Sequence, residues 1–91
     1  MPHSPEDKKR ALTRLKRIKG QAEALERAVE AGTECAALLQ QIAALRGATN
    51  GLMAEVLESH FRETFVASTA PSTDTDTEID AIMRILRTYL K

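Results

Sequence analysis

Residues 35–65 read CAALLQQIAALRGATNGLMAEVLESHFRETF, and their pattern decides the fold. Leu38, Leu39, Ile42, Leu45, Leu52, Met53, Val56, Leu57, Phe61 and Phe65 recur at the spacing of one helix face, and no proline interrupts them. With Thr33 at a cap position, this spacing predicts a helix over about residues 34–65. Upstream, Ser4, Pro5, Glu6 and Asp7 form a helix start: a hydroxyl cap, proline at the first helical position, then acids facing the positive end of the dipole. Leu12, Leu15, Ile18, Ala22, Leu25 and Val29 follow three and four apart until Gly32, so a first helix over about 5–31 is expected. Downstream, ASTAPSTDTDT has the composition of a linker, over about 66–75. Thr75 and Glu78 are spaced as a capping box for a short third helix over about 76–90, carrying Ile79, Ile82, Met83, Leu86, Tyr89 and Leu90.

The rest of the composition agrees with helices. The chain has 91 residues and 10.0 kDa, the size of a single domain, 1–91. Its 43% apolar and 29% charged residues are those of a folded globular protein. Three aromatic residues, Phe61, Phe65 and Tyr89, with 4 glycines and 3 prolines fit a sandwich or barrel poorly. No apolar run approaches the roughly 18 residues of a membrane span, and MPHSPEDKKR lacks the apolar core of a secretory signal. A cytoplasmic protein is expected, in which the single cysteine, Cys35, stays reduced.

The formal charge is zero, from 13 basic and 13 acidic residues, but it is sorted along the chain. KKRALTRLKRIK, residues 8–19, holds seven of the basic residues and no acid; residues 74–80 hold four acids and no base. Arg10, Arg14 and Arg17 fall at i, i+4 and i+7 with no acid nearby in sequence, the layout of a phosphate-binding stripe. Both long helices span about 40 Å or more, too long for a helix-turn-helix. Any duplex is therefore met by another geometry. Two such helices and a short third expose too much apolar surface for a monomer, and an oligomer is expected.

Cys35 and His60 lie 25 residues apart, on one face of helix two but about 37 Å apart along it. If two copies of that helix pack antiparallel, the axis falls near Gly47 and Ala48, within a run of small residues that permits close approach, and each Cys35 meets the partner's His60. Folding helix one back about Gly32 and Thr33 brings Pro2 and His3 beside residues 60–64 of their own chain. Two composite sites per dimer follow, each built from Pro2, His3 and His60 of one chain and Cys35 of the other.

The stretches RLKRIKGQAEALER and LQQIAALRGATNGLMAEVLESH resemble the CsoR/RcnR family of bacterial transcriptional repressors, most closely its formaldehyde-responsive FrmR branch. The resemblance runs over residues 2–65 and the TYLK end, and leaves residues 66–78 uncovered. It implies an all-helical dimer of dimers without a helix-turn-helix that binds operator DNA. It also implies an effector fingerprint at His3, Cys35, His60 and Thr64. Thr64 is a weak ligand where copper sensors carry a second thiolate and nickel or cobalt sensors carry histidine. His3, Cys35 and His60 with a water would still suit zinc, which is the alternative, metal-responsive reading.

The branch resemblance implies instead a crosslink between the N-terminal proline and the cysteine, and the residue types suit it. With Met1 removed, Pro2 is a secondary amine that condenses with formaldehyde to an iminium ion, and the Cys35 thiolate captures the carbon as an N–CH2–S bridge. His60 would accept the thiol proton, with His3 and Thr64 beside it. The expected protein is a formaldehyde-responsive repressor, not an enzyme, that needs no cofactor and leaves DNA when the bridge forms. Arg10, Arg14, Lys16, Arg17 and Arg46 are its expected DNA contacts, and genes of formaldehyde detoxification its implied targets.

Overall fold

The computed structural model describes the backbone of residues 4–68 and 73–89 and the side chains of 4–64 and 76–89. Three α-helices follow one another: α1 (Pro5–Glu30), α2 (Cys35–Ser68) and α3 (Thr73–Tyr89). No strand occurs among the described residues. α2 is the spine: α1 and α3 each pack on it, and not on one another.

The start of α1 follows from local chemistry. Ser4 is the N-cap, its hydroxyl accepting from the Asp7 N–H at 3.0 Å, and Pro5 takes the position where the missing N–H costs nothing. At the other end Gly32 adopts φ +73°, its N–H donating to the Val29 carbonyl (3.1 Å) while the Thr33 N–H donates to that of Ala28 (3.0 Å). These are the two bonds of a Schellman motif, and the left-handed φ is what requires glycine. Thr33 thus takes part in the closure of α1, and the cap of α2 falls one residue later. The first bond of α2 runs from Leu38 N–H to the Glu34 carbonyl (3.1 Å), which puts Glu34 at the cap.

The linker is shorter than its composition suggests. α2 continues to Ser68 and α3 opens at Thr73, so Thr75 lies inside α3 and not at the N-cap position expected of it. Two forces override the composition: acids near a helix start are favoured by its dipole, and Arg62 of α2 binds Asp76 (3.3 Å) and Asp80 (2.7 Å).

The buried centre is small. Ala54 of α2 with Ile79 and Met83 of α3 are 1–3% exposed, and Phe61 and Leu86 pack around them. α1 buries no residue fully. Leu12, Leu15 and Val29 on α1, Leu39, Ile42 and Met53 on α2, and Ile82, Ile85 and Tyr89 on α3 are 39–81% exposed. The chain measures 56 × 26 × 13 Å with a radius of gyration of 16.8 Å, against about 12 Å for a compact chain of this length. An elongated hairpin leaves its apolar stripe in solvent. The side chain of Phe65, assigned to that stripe from spacing, and residue Leu90 lie outside the described residues.

Candidate functional site

Cys35 is the first residue of α2 and is exposed. His60, 25 residues further along the same helix, is also exposed, its ring 6.2 Å from that of Phe61. Thr64 follows one turn later and is exposed. At about 1.5 Å per residue the thiol and the imidazole are some 37 Å apart, so one chain does not bring them together. Pro2 and His3 lie outside the described residues. The α1–α2 register is fixed by the residues that follow: Arg14 faces Gly51 and Glu55, and Asp7 lines one depression with Ser59, which is only 7% exposed. The start of α1 thus meets α2 one residue before His60.

No three His, Cys, Asp or Glu side chains converge as metal donors among the described residues. Within one chain Cys35 and His60 do not fit a common ion, and a metal site on these residues requires a second subunit.

The arginine stripe is less free than its spacing suggests. Arg10 is paired with Asp7 on the preceding turn of α1. Its guanidinium holds the Asp7 carboxyl below the usual carboxylate range, against partial desolvation and with help from Ser4, and Asp7 in turn raises Arg10. Arg14 Nε donates to Glu55 Oε2 at 2.8 Å. Acids therefore do pair two members of the stripe: Asp7, already at i−3 from Arg10 in the sequence, and Glu55, brought to Arg14 by α2. Lys16 and Arg17 are exposed, and no ion pair among the described residues involves either. Arg17 shares a shallow depression with Lys9, Arg10, Thr13, Arg14 and Glu55. Arg46 stands apart, in a groove with Ala43, Gly47, Asn50, Gly51, Ala54 and Arg87.

A second charged cluster escapes the sequence reading. Arg62 binds Glu58, Asp76 and Asp80, and Arg87 of α3 reaches Glu58 at 3.3 Å. Partial burial disfavours the Arg62 charge, but Asp80 and Glu58 outweigh it and raise its pKa. The Glu58–Arg62 spacing of one helical turn was visible in the sequence; the partners on α3 were not.

A long helical hairpin with an arginine-bearing first helix, an exposed thiol at the head of the second and an uncovered apolar stripe defines a small helical regulator lacking a helix-turn-helix. Comparison makes the class specific. Residues 7–88 match the family model described as a metal-sensitive transcriptional repressor, and the chain belongs to that family, the CsoR/RcnR transcriptional repressors. It is 41% identical over 91 residues to the transcriptional repressor RcnR of Salmonella paratyphi B, and 56% identical to a Serratia marcescens protein named only as uncharacterized in the bioA 5′ region; both matches span the whole of each chain. A solved variant of the formaldehyde-responsive regulator FrmR from Salmonella enterica serovar Typhimurium is 55% identical, superposes with a TM-score of 0.69, and covers 97% of this chain and 99% of its own.

Proposed function

We propose that this repressor senses formaldehyde through Pro2 of one subunit and Cys35 of another. The observation that carries the reading is the chain's single thiol, exposed at the head of α2, in a protein 55% identical to a relative titled as formaldehyde-responsive. After removal of Met1, the Pro2 nitrogen adds to formaldehyde and the adduct loses water to give an iminium ion. The Cys35 sulfur attacks that carbon as its proton leaves to a base, a role His60 is suited to fill. One formaldehyde, one amine and one thiol give one N–CH2–S bridge and one water. Proximity is all the reaction requires.

The protein works as a cytoplasmic homotetramer, a dimer of dimers in which α2 pairs antiparallel with its copy through Ala43, Ala44, Gly47, Ala48 and Gly51. The exposed Leu12, Leu15, Leu39 and Ile42 supply apolar surface for assembly. Arg10, Arg14, Lys16, Arg17 and Arg46 engage operator phosphates, with Arg17 and Lys16 in no ion pair among the described residues. The bridge ties the start of α1 in one subunit to α2 in another and shifts the population away from the DNA-binding arrangement. No cofactor is needed, and the genes released serve formaldehyde detoxification.

The family's description as metal-sensitive favours a second reading. There His3, Cys35 and His60, drawn from two subunits, hold zinc, cobalt or nickel, with Thr64 contributing little.

Intact mass under denaturing, metal-free conditions decides between them, on protein with confirmed Met1 removal treated with near-stoichiometric formaldehyde. The expected result is a covalent dimer gaining one carbon per bridge, with peptides mapping to Pro2 and Cys35. Absence of covalent dimer, with metal retained in native spectra, replaces the formaldehyde reading with the metal one.

A further inference from the structure

Arg14 is held in place by two independent features of α2. Its Nε donates to Glu55 Oε2 at 2.8 Å, and its Nη1 occupies the space beside Gly51 where a Cβ would stand, only 2.7 Å from that position. The guanidinium is thus laid flat along α2, its side chain 38% exposed, while Glu55 is 17% exposed. The contact uses one N–H of the fork, and the second carboxylate oxygen, Glu55 Oε1, is buried with no hydrogen-bond partner. A carboxylate with both oxygens satisfied by an arginine fork makes the strong form of this pair; a single bond with one oxygen orphaned is a weak form that a better anion can displace.

Glu55 also borders two depressions lined by charged side chains. One holds Lys9, Arg10 and Arg17; the other holds Asp7, Arg10, Glu58, Arg62 and Arg87, and Arg14 and Glu55 border both. Arg10 already feels the charge of Glu55. A carboxylate released by Arg14 therefore still faces other guanidinium groups.

We propose that Glu55 is a built-in competitor for DNA phosphate at Arg14, occupying that guanidinium in the free protein and surrendering it when a duplex docks. The inference rests on the DNA-binding reading given above and adds a residue to it: Glu55 is a positioning residue that touches no DNA, and it lowers affinity for any duplex by the cost of breaking the pair. It aligns Arg14 along α2 and keeps it from capturing other polyanions.

Salt-dependent binding to duplex DNA, read by fluorescence anisotropy on the full chain, tests this. Glu55→Gln is expected to tighten binding about fivefold per engaged subunit, the equivalent of about 1 kcal/mol at tenfold per 1.4 kcal/mol. The logarithmic salt slope should steepen by up to about 0.9 for each phosphate contact no longer offset by a released carboxylate. Removing a negative charge raises affinity for any polyanion, so the control is a double-mutant cycle. In an Arg14→Ala background the Glu55→Gln gain should vanish. Gly51→Ala is a second route, in which only the flexible end of Arg14 must move within the chain; because Gly51 also lies in the small-residue run proposed for α2 pairing, it is read on protein whose mass in solution matches that of the wild type. It should shift affinity in the same direction by a smaller factor.

An equal gain from Glu55→Gln with and without Arg14, or wild-type affinity and slope in both Glu55→Gln and Gly51→Ala, overturns the competitor role while leaving DNA binding intact. Failure of the wild type itself to bind any duplex at low salt overturns the DNA reading and this inference with it.

Discussion

Arg62 of α2 donates to Asp80 of α3 across 2.7 Å. The same guanidinium reaches Asp76 and Glu58, and Glu58 takes a second arginine, Arg87, from the far turn of α3. α3 therefore docks on α2 by two unlike means: an apolar contact of Ile79 and Met83 on Ala54, and a charge network along its edge. The apolar part is insensitive to salt, and the charged part is screened by it.

Arg62→Ala should loosen α3 without unfolding the hairpin. The partners are 37–68% exposed apart from Glu58, so each pair is discounted for solvent screening and the network contributes only about 1 kcal/mol. Amide exchange in residues 76–89 is expected to accelerate, and raised salt should narrow the difference from wild type. Unchanged α3 protection would remove the network from the docking energy.

Ile79→Ala should do more. Ile79 is 1% exposed, the largest fully buried side chain among the described residues, and its truncation leaves a cavity against Ala54 with little around it to collapse. A loss of about 2–4 kcal/mol is expected, read from urea unfolding at one fixed protomer concentration because the proposed assembly would add to stability. A loss under about 0.5 kcal/mol, the scale of a surface substitution, would mean that α3 is not held by this contact.

These two kinds of contact mark what a linear reading reaches. Ser4, Pro5 and Gly32 act within a turn or two of their own positions, so both ends of α1 were legible. The start of α3 was not: TDTDT has the composition of a linker, and it becomes helix where Arg62, 14 residues before Asp76, pairs with it. Thr33 is not the cap of α2 because the first bond of that helix is accepted by the Glu34 carbonyl, one residue later. The same limit shaped the site. Spacing on α1 placed Arg10, Arg14 and Arg17 on one stripe, but Glu55, 41 residues from Arg14, comes into view only once the helices are paired. Arg46 was grouped with that stripe by charge, whereas the groove on α2 puts it with Arg87.

Lowering the pH should weaken the first turn of α1. Arg10 holds the Asp7 carboxyl below its ordinary value of 3.8, so folding favours the charged form. That stability is complete above the ordinary value and is lost as the pH falls through the lowered one. Asp7→Asn should therefore flatten the acid limb of α1 helicity followed by exchange or chemical shift, and also release Arg10. An acid limb identical to wild type would show that the pair does not support the helix.

The effector reading makes a demand on two residues at once. Cys35 is exposed and heads α2, and the bridge needs its sulfur and an N-terminal nitrogen together, so Cys35→Ala removes a bridging atom and Pro2→Ser removes the secondary amine. Neither residue belongs to the arginine stripe. Cys35→Ala and Pro2→Ser should accordingly bind duplex DNA with wild-type affinity and salt slope, yet remain bound when formaldehyde is added. Serine at position 2 leaves a primary amine whose imine is charged only when protonated, so Pro2→Ser tests whether the permanently charged iminium of a secondary amine is required. Anisotropy with and without formaldehyde reads both variants. Release of DNA by formaldehyde from Cys35→Ala would eliminate the thiol from the trigger, and release from Pro2→Ser alone would keep the thiol but assign the carbon to any N-terminal amine.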